Sequence, residues 1–320
     1  MESYKRFEMK NLCAISDCDY VVKLLTLFES LKTSQQQPFA LHVLCLDEKT
    51  ENIINYQNDE RLKVLSLKDV ENQDFFLKFC KETMPASSEA VSNASSQNKD
   101  PRYVQYCWAL APYLCWYCLN TLRLEDIMYV DADLYFYRDI SNIYEEIGDK
   151  SIGIVRHRIN YIPSVGEYNV GIVYFKNNLT GNTCSKLWKD LLLYPNNPYA
   201  KEYGQCGDQK YLELFPLMFS KNDVCIIDKT IGHLAPWSVT FHRYKEQKIV
   251  WENREQDLYF FHFAHFVPDL QNNTYRSSYR NEWVWGVPEK TSDTVKRLYD
   301  EYFETTKNVM FNNKNLIGKK

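Results

Sequence analysis

The chain has 320 residues, of which 45% are hydrophobic and 15% aromatic, enough apolar side chains for the core of one large domain or two. Its formal net charge of −4 excludes the strong basic field that is typical of nucleic-acid-binding proteins. The N-terminal residues are charged and no apolar run of about 18 residues occurs, so we expect a cytoplasmic protein without a signal peptide or transmembrane segment.

The first 70 residues alternate between strand and helix patterns. Continuous apolar runs predict strands over residues 11–16, 40–46 and 62–67, and apolar residues at helical spacing predict a helix over 20–32. This βαβ order predicts an α/β fold with a mixed, mostly parallel sheet flanked by helices. Ligands of such sheets bind beyond the carboxyl ends of the strands.

The rest of the chain continues this mixture. Residues 84–101, rich in Ser, Asn and Ala, predict a mobile loop, and a helix over 102–120 follows. The C-x-x-C of that helix, Cys115 to Cys118, has no second cysteine pair at usable spacing and therefore predicts core thiols rather than a metal site. The pattern predicts strands over 126–130, 151–155, 168–175, 223–227 and 257–263, and helices near 183–194, 205–214 and 292–305. We predict one domain over residues 1–290 with a C-terminal helix and tail, 291–320, packed on it.

Two D-x-D pairs are candidates for binding a cation. Asp131 and Asp133 follow a strand and would face the same side, where a hard divalent cation such as Mn²⁺ or Mg²⁺ would relieve their repulsion. Exposed turn aspartates are the alternative explanation. Asp17 and Asp19 also follow a strand, but they directly precede a helix, so helix capping accounts for at least one of them.

Two histidines in LYFFHFAHF could add an imidazole to the same cation. His262 and His265 fall on opposite faces if the strand stays regular, so we expect only one of them to be a ligand. A histidine packed in the core is the alternative for a position in such an aromatic run.

Five segments in this order carry a resemblance to a known family: YVDADLYFY, YNVGIVYFKNN, YGQCGDQKYLELFP, GHLAPWSV and FFHF. Together with the opening LCAISDCDYVVKLLTLFESL, they resemble the GT-A glycosyltransferases related to family eight, the galactosyltransferase and glycogenin group. The resemblance spans about residues 10–266. It implies a GT-A, Rossmann-like fold and an enzyme that takes its sugar from a nucleoside-diphosphate sugar.

The resemblance also implies roles for individual residues. Asp131 and Asp133 match the family's metal-binding D-x-D, and His262 matches the histidine that completes the metal site. The remaining implied contacts are all to the nucleotide sugar: Asp17 and Tyr20 at base and ribose, Asn169 and Gly171 at the donor sugar, and Asp208 and Gln209 close to the reacting anomeric carbon.

The sequence departs from the family pattern at two places. His265 stands where the family has a glycine, and its side chain could donate a hydrogen bond to phosphate instead. The family's arginine before the D-x-D has no counterpart except the nearby Arg102. The alternative diphosphate-binding cations are Arg156, Arg158, Arg243 and Lys245, although such residues are more often solvated surface charges.

The resemblance implies metal-dependent transfer from a nucleotide sugar, UDP rather than GDP, to a glycan or glycoconjugate hydroxyl, with retention. If the reaction inverts, Asp208 or Glu167 is the expected base. Trp237 and His242 could form an acceptor wall, although core packing explains Trp237 equally well. A lipid-linked acceptor would add peripheral attachment to a membrane. Two other functions fit the acidic pair: a metal-dependent nucleotidyltransferase or phosphohydrolase, and an inactive nucleotide-sugar-binding protein.

Overall fold

The computed structural model describes residues 9–97, 99–194, 197–204, 206–239, 242–245, 248–276 and 293–318. The strands are β1 (Lys10–Ser16), β2 (Phe39–Cys45), β3 (Leu62–Ser66), β4 (Asp126–Val130), β5 (Leu134–Phe136), β6 (Ile152–Arg156), β7 (Tyr168–Lys176), β8 (Val224–Ile226), β9 (Ile231–Leu234), β10 (Arg243–Lys245), β11 (Lys248–Trp251), β12 (Arg254–His262), β13 (Val267–Asp269) and β14 (Thr274–Arg276). The α-helices are α1 (Val21–Ser34), α2 (Glu48–Tyr56), α3 (Leu67–Gln73), α4 (Phe75–Thr83), α5 (Ser88–Gln97), α6 (Pro101–Asn120), α7 (Ser141–Ile147), α8 (Leu179–Leu193), α9 (Ala200–Tyr203), α10 (Leu214–Met218), α11 (Asp293–Asn312) and α12 (Lys314–Ile317).

A seven-stranded sheet in the order β3-β2-β1-β4-β7-β6-β8 forms the centre of the protein. The four neighbouring strands β3, β2, β1 and β4 are all parallel to one another. Strand β7 is antiparallel to β4 and β6, and β8 is parallel to β6. Every residue of β2 is buried, as expected of a parallel strand covered on both faces. The sheet confirms the predicted mixed, mostly parallel α/β architecture.

A second sheet brings a distant strand to the carboxyl edge of the first. Its order is β10-β11-β12-β5, and β9 also pairs with β12. The antiparallel pairing of β5 with β12 sets His262 opposite Leu134, and the Phe263 N–H donates to the Asp133 carbonyl at 2.8 Å. Residues separated by about 130 positions along the chain therefore lie side by side at this edge.

The C-terminal helix α11 packs on the body of the protein. Tyr302 stacks on Phe263 with ring centroids 4.0 Å apart, and Thr26 of α1 donates to Thr306 at 3.4 Å. Phe263 directly follows His262, the last residue of β12, so its stacking on Tyr302 fixes the end of this strand. The predicted domain boundary at residue 290 lies outside the described residues.

Two predicted elements differ from the structure. Residues 84–101, expected as a mobile loop, contain helix α5, in which Ala90 and Ala94 are buried against Val104. The predicted helix near 205–214 is a turn that includes Gly207 at φ +55°, then a 3₁₀ helix (Lys210–Glu213), before α10 begins. A left-handed residue interrupts an α-helix, which explains the second difference. The core thiols predicted for Cys115 and Cys118 are buried and free.

Candidate functional site

A cavity of about 390 Å³ lies at the carboxyl edge of the central sheet. Its walls include residues that follow β1 and β4, residues of α5 and α6, and the turn that ends β12. This is the edge at which α/β proteins bind ligands, because the loops there are free to differ while the strands stay fixed.

Two acids and an imidazole meet in this cavity. One ligand atom each from Asp131, Asp133 and His262 lies within 4.8 Å of the others. His262 Nε2 is 2.9 Å from Asp133 Oδ1 and 3.6 Å from Asp131 Oδ2. Two carboxylates with one imidazole form a donor set that fits Mn²⁺ or Mg²⁺ and leaves coordination positions for oxygen atoms of a substrate.

Asn169 fixes the orientation of the His262 ring. Asn169 Oδ1 accepts the Gly171 N–H at 2.8 Å and lies 3.3 Å from His262 Nδ1, so Nδ1 is the donor in that contact. Nε2 is therefore the nitrogen that faces the carboxylates. A histidine held in this way by its other nitrogen is typical of metal ligands.

The pKa values of the three groups depend on one another. Partial burial raises the pKa of Asp131, and the neighbouring Asp133 raises it further. Burial also favours a higher pKa for Asp133, but Lys23 and His262 outweigh it and hold that pKa far below its ordinary value. Burial lowers the pKa of His262, but the attraction of Asp133 and Asp131 exceeds this effect and the pKa is raised. The raised pKa of His262 thus has the same cause as the site's affinity for a cation, the negative charge of two neighbouring carboxylates.

Gly171 does not line the cavity but lies under two of its residues. A Cβ at this position would be 2.7 Å from Asn169 Oδ1 and 3.2 Å from His262 Nδ1. Glycine is therefore required here by close packing beneath the predicted metal ligand, rather than by direct contact with the cavity.

Asp208 and Gln209 also line the cavity. Burial, reinforced by Asp131, raises the pKa of Asp208 well above its ordinary value. Gln209 Oε1 accepts from Asn169 Nδ2 at 3.2 Å and lies 3.2 Å from Nε2 of His157. The sequence did not identify His157 as a site residue, because a histidine between two arginines belongs to no recognisable motif.

Trp237 lines the cavity, whereas His242 does not. The Trp237 ring contacts His262 and His157 edge-on, with centroids 5.2 and 5.9 Å apart. His242 stacks on Trp251 at 4.8 Å, and its Nδ1 is 2.6 Å from the Ser238 carbonyl. Of the two residues predicted for an acceptor wall, the structure places Trp237 in the cavity.

Asp17 and Tyr20 also line the cavity. Asp17 Oδ1 accepts the N–H groups of Asp19 and Tyr20, each at 3.1 Å, and so closes the turn that precedes α1. Tyr20 is the N-cap of α1 and its side chain makes no capping hydrogen bond, so the helix-capping explanation of Asp17 and Asp19 is wrong. Asp17 Oδ2 accepts from Lys99 Nζ at 2.8 Å. Lys99 also lines the cavity, and the sequence did not single it out because it falls in the segment predicted as a loop. Asp19 points outward with 64% of its side chain exposed.

His265 lines the same cavity as His262 because the chain turns after β12. It adopts φ +59°, the left-handed conformation that favours glycine, and so keeps the backbone shape expected of the family's glycine while adding an imidazole. The strand does not stay regular here, and the opposite-face expectation for the two histidines is wrong.

Three of the predicted diphosphate-binding cations do not line the cavity. Arg102 is exposed and contacts Asp100. Arg156 pairs with Glu167 and with Asp228, so neither Arg156 nor Glu167 lines the cavity. Buried Arg158 donates to Gln256 and to the Ile231 carbonyl. The side chains of Arg243 and Lys245 lie outside the described residues.

The sequence matches no protein-family model. It is 29% identical over 267 residues to the uncharacterized protein YfnF of Bacillus subtilis strain 168, which covers 79% of this chain and 80% of YfnF. It is 23% identical over 293 residues to the uncharacterized protein YfnD of the same strain, covering 88% of this chain and 84% of YfnD.

Two solved structures share the architecture of this chain. Mouse xyloside xylosyltransferase 1 in its apo form superposes with a TM-score of 0.53 at 12% identity, covering 81% of this chain and 98% of that one. The galactosyltransferase LgtC in complex with donor and acceptor sugar analogs superposes with a TM-score of 0.50 at 11% identity, covering 93% and 95%. These likenesses confirm the predicted GT-A fold. Among the described residues, no helix combines the length and the apolar character needed to span a membrane.

Proposed function

We propose that this protein, whose chain has the GT-A fold, is a metal-dependent glycosyltransferase that moves a sugar from a nucleoside-diphosphate sugar to a hydroxyl of a glycan or other acceptor. The observation that carries the proposal is the convergence of Asp131, Asp133 and His262 at the ligand-binding edge of the sheet. Sequence resemblance and shared fold support the reaction class, and the resemblance favours a UDP-sugar and retention.

Each proposed metal ligand has one atom directed at a shared point. Asp133 Oδ1 and Asp131 Oδ2 lie nearest His262 Nε2, and these three atoms would hold Mn²⁺ or Mg²⁺. A cation bound there would supply Lewis-acid stabilisation of the diphosphate leaving group. The chain positions the ligands in advance, because Asn169 orients His262 and Tyr129 donates to Asp131 Oδ1 at 3.1 Å.

The donor sugar is proposed to lie against Asn169, Asp208 and Gln209, which line the same part of the cavity as the acidic pair. Trp237 would offer its ring to the carbohydrate C–H surface of the acceptor. If the reaction inverts, Asp208 is a better candidate base than Glu167. A raised pKa brings a carboxylate closer to the pH at which general bases are effective, and Glu167 is engaged by Arg156.

The test is a panel of nucleotide sugars incubated with the full chain in Mn²⁺, in Mg²⁺ and in chelator, scoring the nucleoside diphosphate released by slow attack of water. We expect release from a UDP-sugar that depends on the cation. Release of pyrophosphate or inorganic phosphate would instead identify a nucleotidyltransferase or phosphohydrolase. Tight nucleotide-sugar binding without release, also in the presence of a glycan acceptor library, would identify an inactive binding protein.

The cytoplasmic location, and peripheral membrane attachment through a lipid-linked acceptor, remain predictions from the sequence.

A further inference from the structure

Lys23 of helix α1 lies directly behind one of the proposed metal ligands. Its Nζ is 3.3 Å from Asp133 Oδ2, and the two side chains are 16% and 11% exposed. The same ammonium lies 4.5 Å from the centroid of the Tyr20 ring. A lysine held between a largely buried carboxylate and an aromatic face has a fixed position, unlike the usual solvated surface lysine.

The oxygens of both acids are divided in the same way. Asp133 directs Oδ1 toward His262 and gives Oδ2 to Lys23. Asp131 directs Oδ2 toward His262, and its Oδ1 accepts the Tyr129 hydroxyl. One oxygen of each acid is therefore directed at the shared point, and the other is bound to a donor of the protein.

Charge distinguishes the two donors. The Tyr129 hydroxyl is neutral, whereas Lys23 carries a positive charge 3.3 Å from the second oxygen of the proposed ligand Asp133. With His262 neutral, Asp131, Asp133 and Lys23 leave the site with a net charge of −1. A divalent cation alone would be repelled by Lys23, whereas a cation that arrives with an anionic diphosphate would be accompanied by charges that Lys23 attracts.

We propose that Lys23 is a positioning residue of the metal site, which keeps Asp133 Oδ2 away from the cation and shifts the site's preference from the free cation to the cation with its diphosphate. The part that concerns the diphosphate rests on the proposed function, whereas the part that concerns the free cation does not. Lys23 does not line the cavity, so its effect on either ligand passes through Asp133 and through its charge.

A purely structural role for Lys23 predicts a different result. If the ion pair only tethered α1 to the turn before β5, its loss would loosen the site and weaken the binding of both ligands. A positioning role predicts changes of opposite sign, because removing the ammonium frees Oδ2 and makes the site more negative. The sign of the change in cation affinity therefore separates the two roles.

The experiment uses the full chain with K23M, a substitution of similar length without charge. Free Mn²⁺ is measured by electron paramagnetic resonance without nucleotide, and UDP binding is then measured by calorimetry at saturating Mn²⁺. We expect the Mn²⁺ dissociation constant to fall about tenfold and the UDP dissociation constant to rise about tenfold, an effect in scale with a unit charge partly screened by solvent. K23R, which keeps the charge, should stay within about threefold of the wild type for both ligands.

The matched control is K32M on the same helix, where Lys32 Nζ pairs with Glu29 Oε1 at 2.5 Å on the surface. It should leave both dissociation constants unchanged. Unchanged or weaker Mn²⁺ binding by a folded K23M would overturn the proposal while leaving the proposed function intact. If the wild-type chain binds Mn²⁺ neither alone nor together with UDP, both proposals fail. If K23M does not fold, K23Q decides by the same measurement, since it also removes the charge.

Discussion

The acids of the two D-x-D pairs have the same spacing in sequence but different surroundings. Asp131 lines the cavity beside Asp133 and His262, whereas the side chain of Asp19 is 64% exposed and contacts Lys99. A carboxylate acts as a ligand only where other donors share its cavity. The difference between the pairs is therefore a property of the individual side chains and can be tested at that scale.

We predict that Asp131→Asn reduces cation-dependent release of nucleoside diphosphate by at least about 100-fold, because a neutral amide is a poor ligand and the shape of the side chain is kept. The measurement is the release assay, together with Mn²⁺ binding and a thermal unfolding curve. The matched control is Asp19→Asn in the other pair, which should keep activity within about twofold. Full activity of the Asp131 variant would refute the metal assignment.

Gly171→Ala is predicted to weaken Mn²⁺ binding without changing any ligand. The new Cβ would lie 2.7 Å from Asn169 Oδ1, so Asn169 and with it the His262 ring must move. We expect about 10-fold weaker Mn²⁺ binding and a loss of about 1–3 kcal/mol in the free energy of unfolding. Gly153→Ala is the control, since its Cβ would press on Ile147 and Ile227 away from the site and should cost stability alone. Equal Mn²⁺ affinity of both variants would contradict the positioning role of Asn169.

At the scale of elements, helix α5 forms one wall of the cavity. Glu89 and Asn93 line it, and a Glu89 carboxylate oxygen accepts the Gly207 N–H at 3.0 Å, next to Asp208. The helix is held by Ala90 and Ala94, which are 0% and 1% exposed. Its stability therefore comes from packing on α6 rather than from the helix propensity of its serines and asparagine.

Ala94→Pro is predicted to disrupt α5, because proline inside a helix removes a hydrogen bond and costs about 3 kcal/mol. We expect UDP binding in saturating Mn²⁺ to weaken at least about 10-fold and Mn²⁺ binding to stay unchanged, since no metal ligand lies on α5. Ser88→Pro is the control, because the first helical position tolerates proline. Faster proteolysis within residues 84–100 would show that the helix has opened. Unaltered UDP binding by an opened variant would exclude α5 from the donor site.

At the scale of the whole molecule, several histidines are buried in the neutral form. Burial lowers the pKa of His42, His157 and His242 to about 4, and it lowers that of His233 well below the ordinary value. The unfolded chain binds protons at these groups near pH 6.5, so stability that is present above that pH is lost as the pH falls toward 4. Asp126 acts in the opposite sense, because burial raises its pKa to about 6.

We predict that the free energy of unfolding is lower at pH 5.0 than at pH 7.5, with about 2 kcal/mol of the difference due to each histidine whose pKa lies near 4. His42→Leu should reduce the difference between the two pH values by about that amount, because His42 is buried in β2, a strand that contributes no residue to the cavity. Urea unfolding at both pH values measures it. An identical pH dependence in the wild type and the variant would show that His42 is not buried neutral.

The sequence by itself determined most strands of the first half and two of its helices, α1 and α6, because apolar residues recur in these segments with the period of a strand or a helix. The helices α2, α3, α4, α5 and α7 carried no comparable signal and were not predicted. The helix over 20–32 and the strand over 126–130 match α1 and β4 to within two residues. It also determined that the acidic pair after β4 is a candidate ligand pair, although residues 131–133 form a turn between β4 and β5, so strand alternation is not what places Asp131 and Asp133 together. The local pattern left open whether His262 or His265 is a ligand or a core histidine, and the resemblance selected His262.

Only the tertiary structure decided which distant groups meet these acids. The pairing of β5 with β12 brings His262 to Asp133, and the packing of α1 against the sheet brings Lys23 to its other oxygen. The segment predicted as a loop contains helix α5 because its alanines pack on α6. Arg156 and Arg158 contact residues outside the cavity. Periodicity fixes which way a side chain points within its own element, but contacts between elements depend on the three-dimensional pairing of the whole chain, which no local pattern encodes.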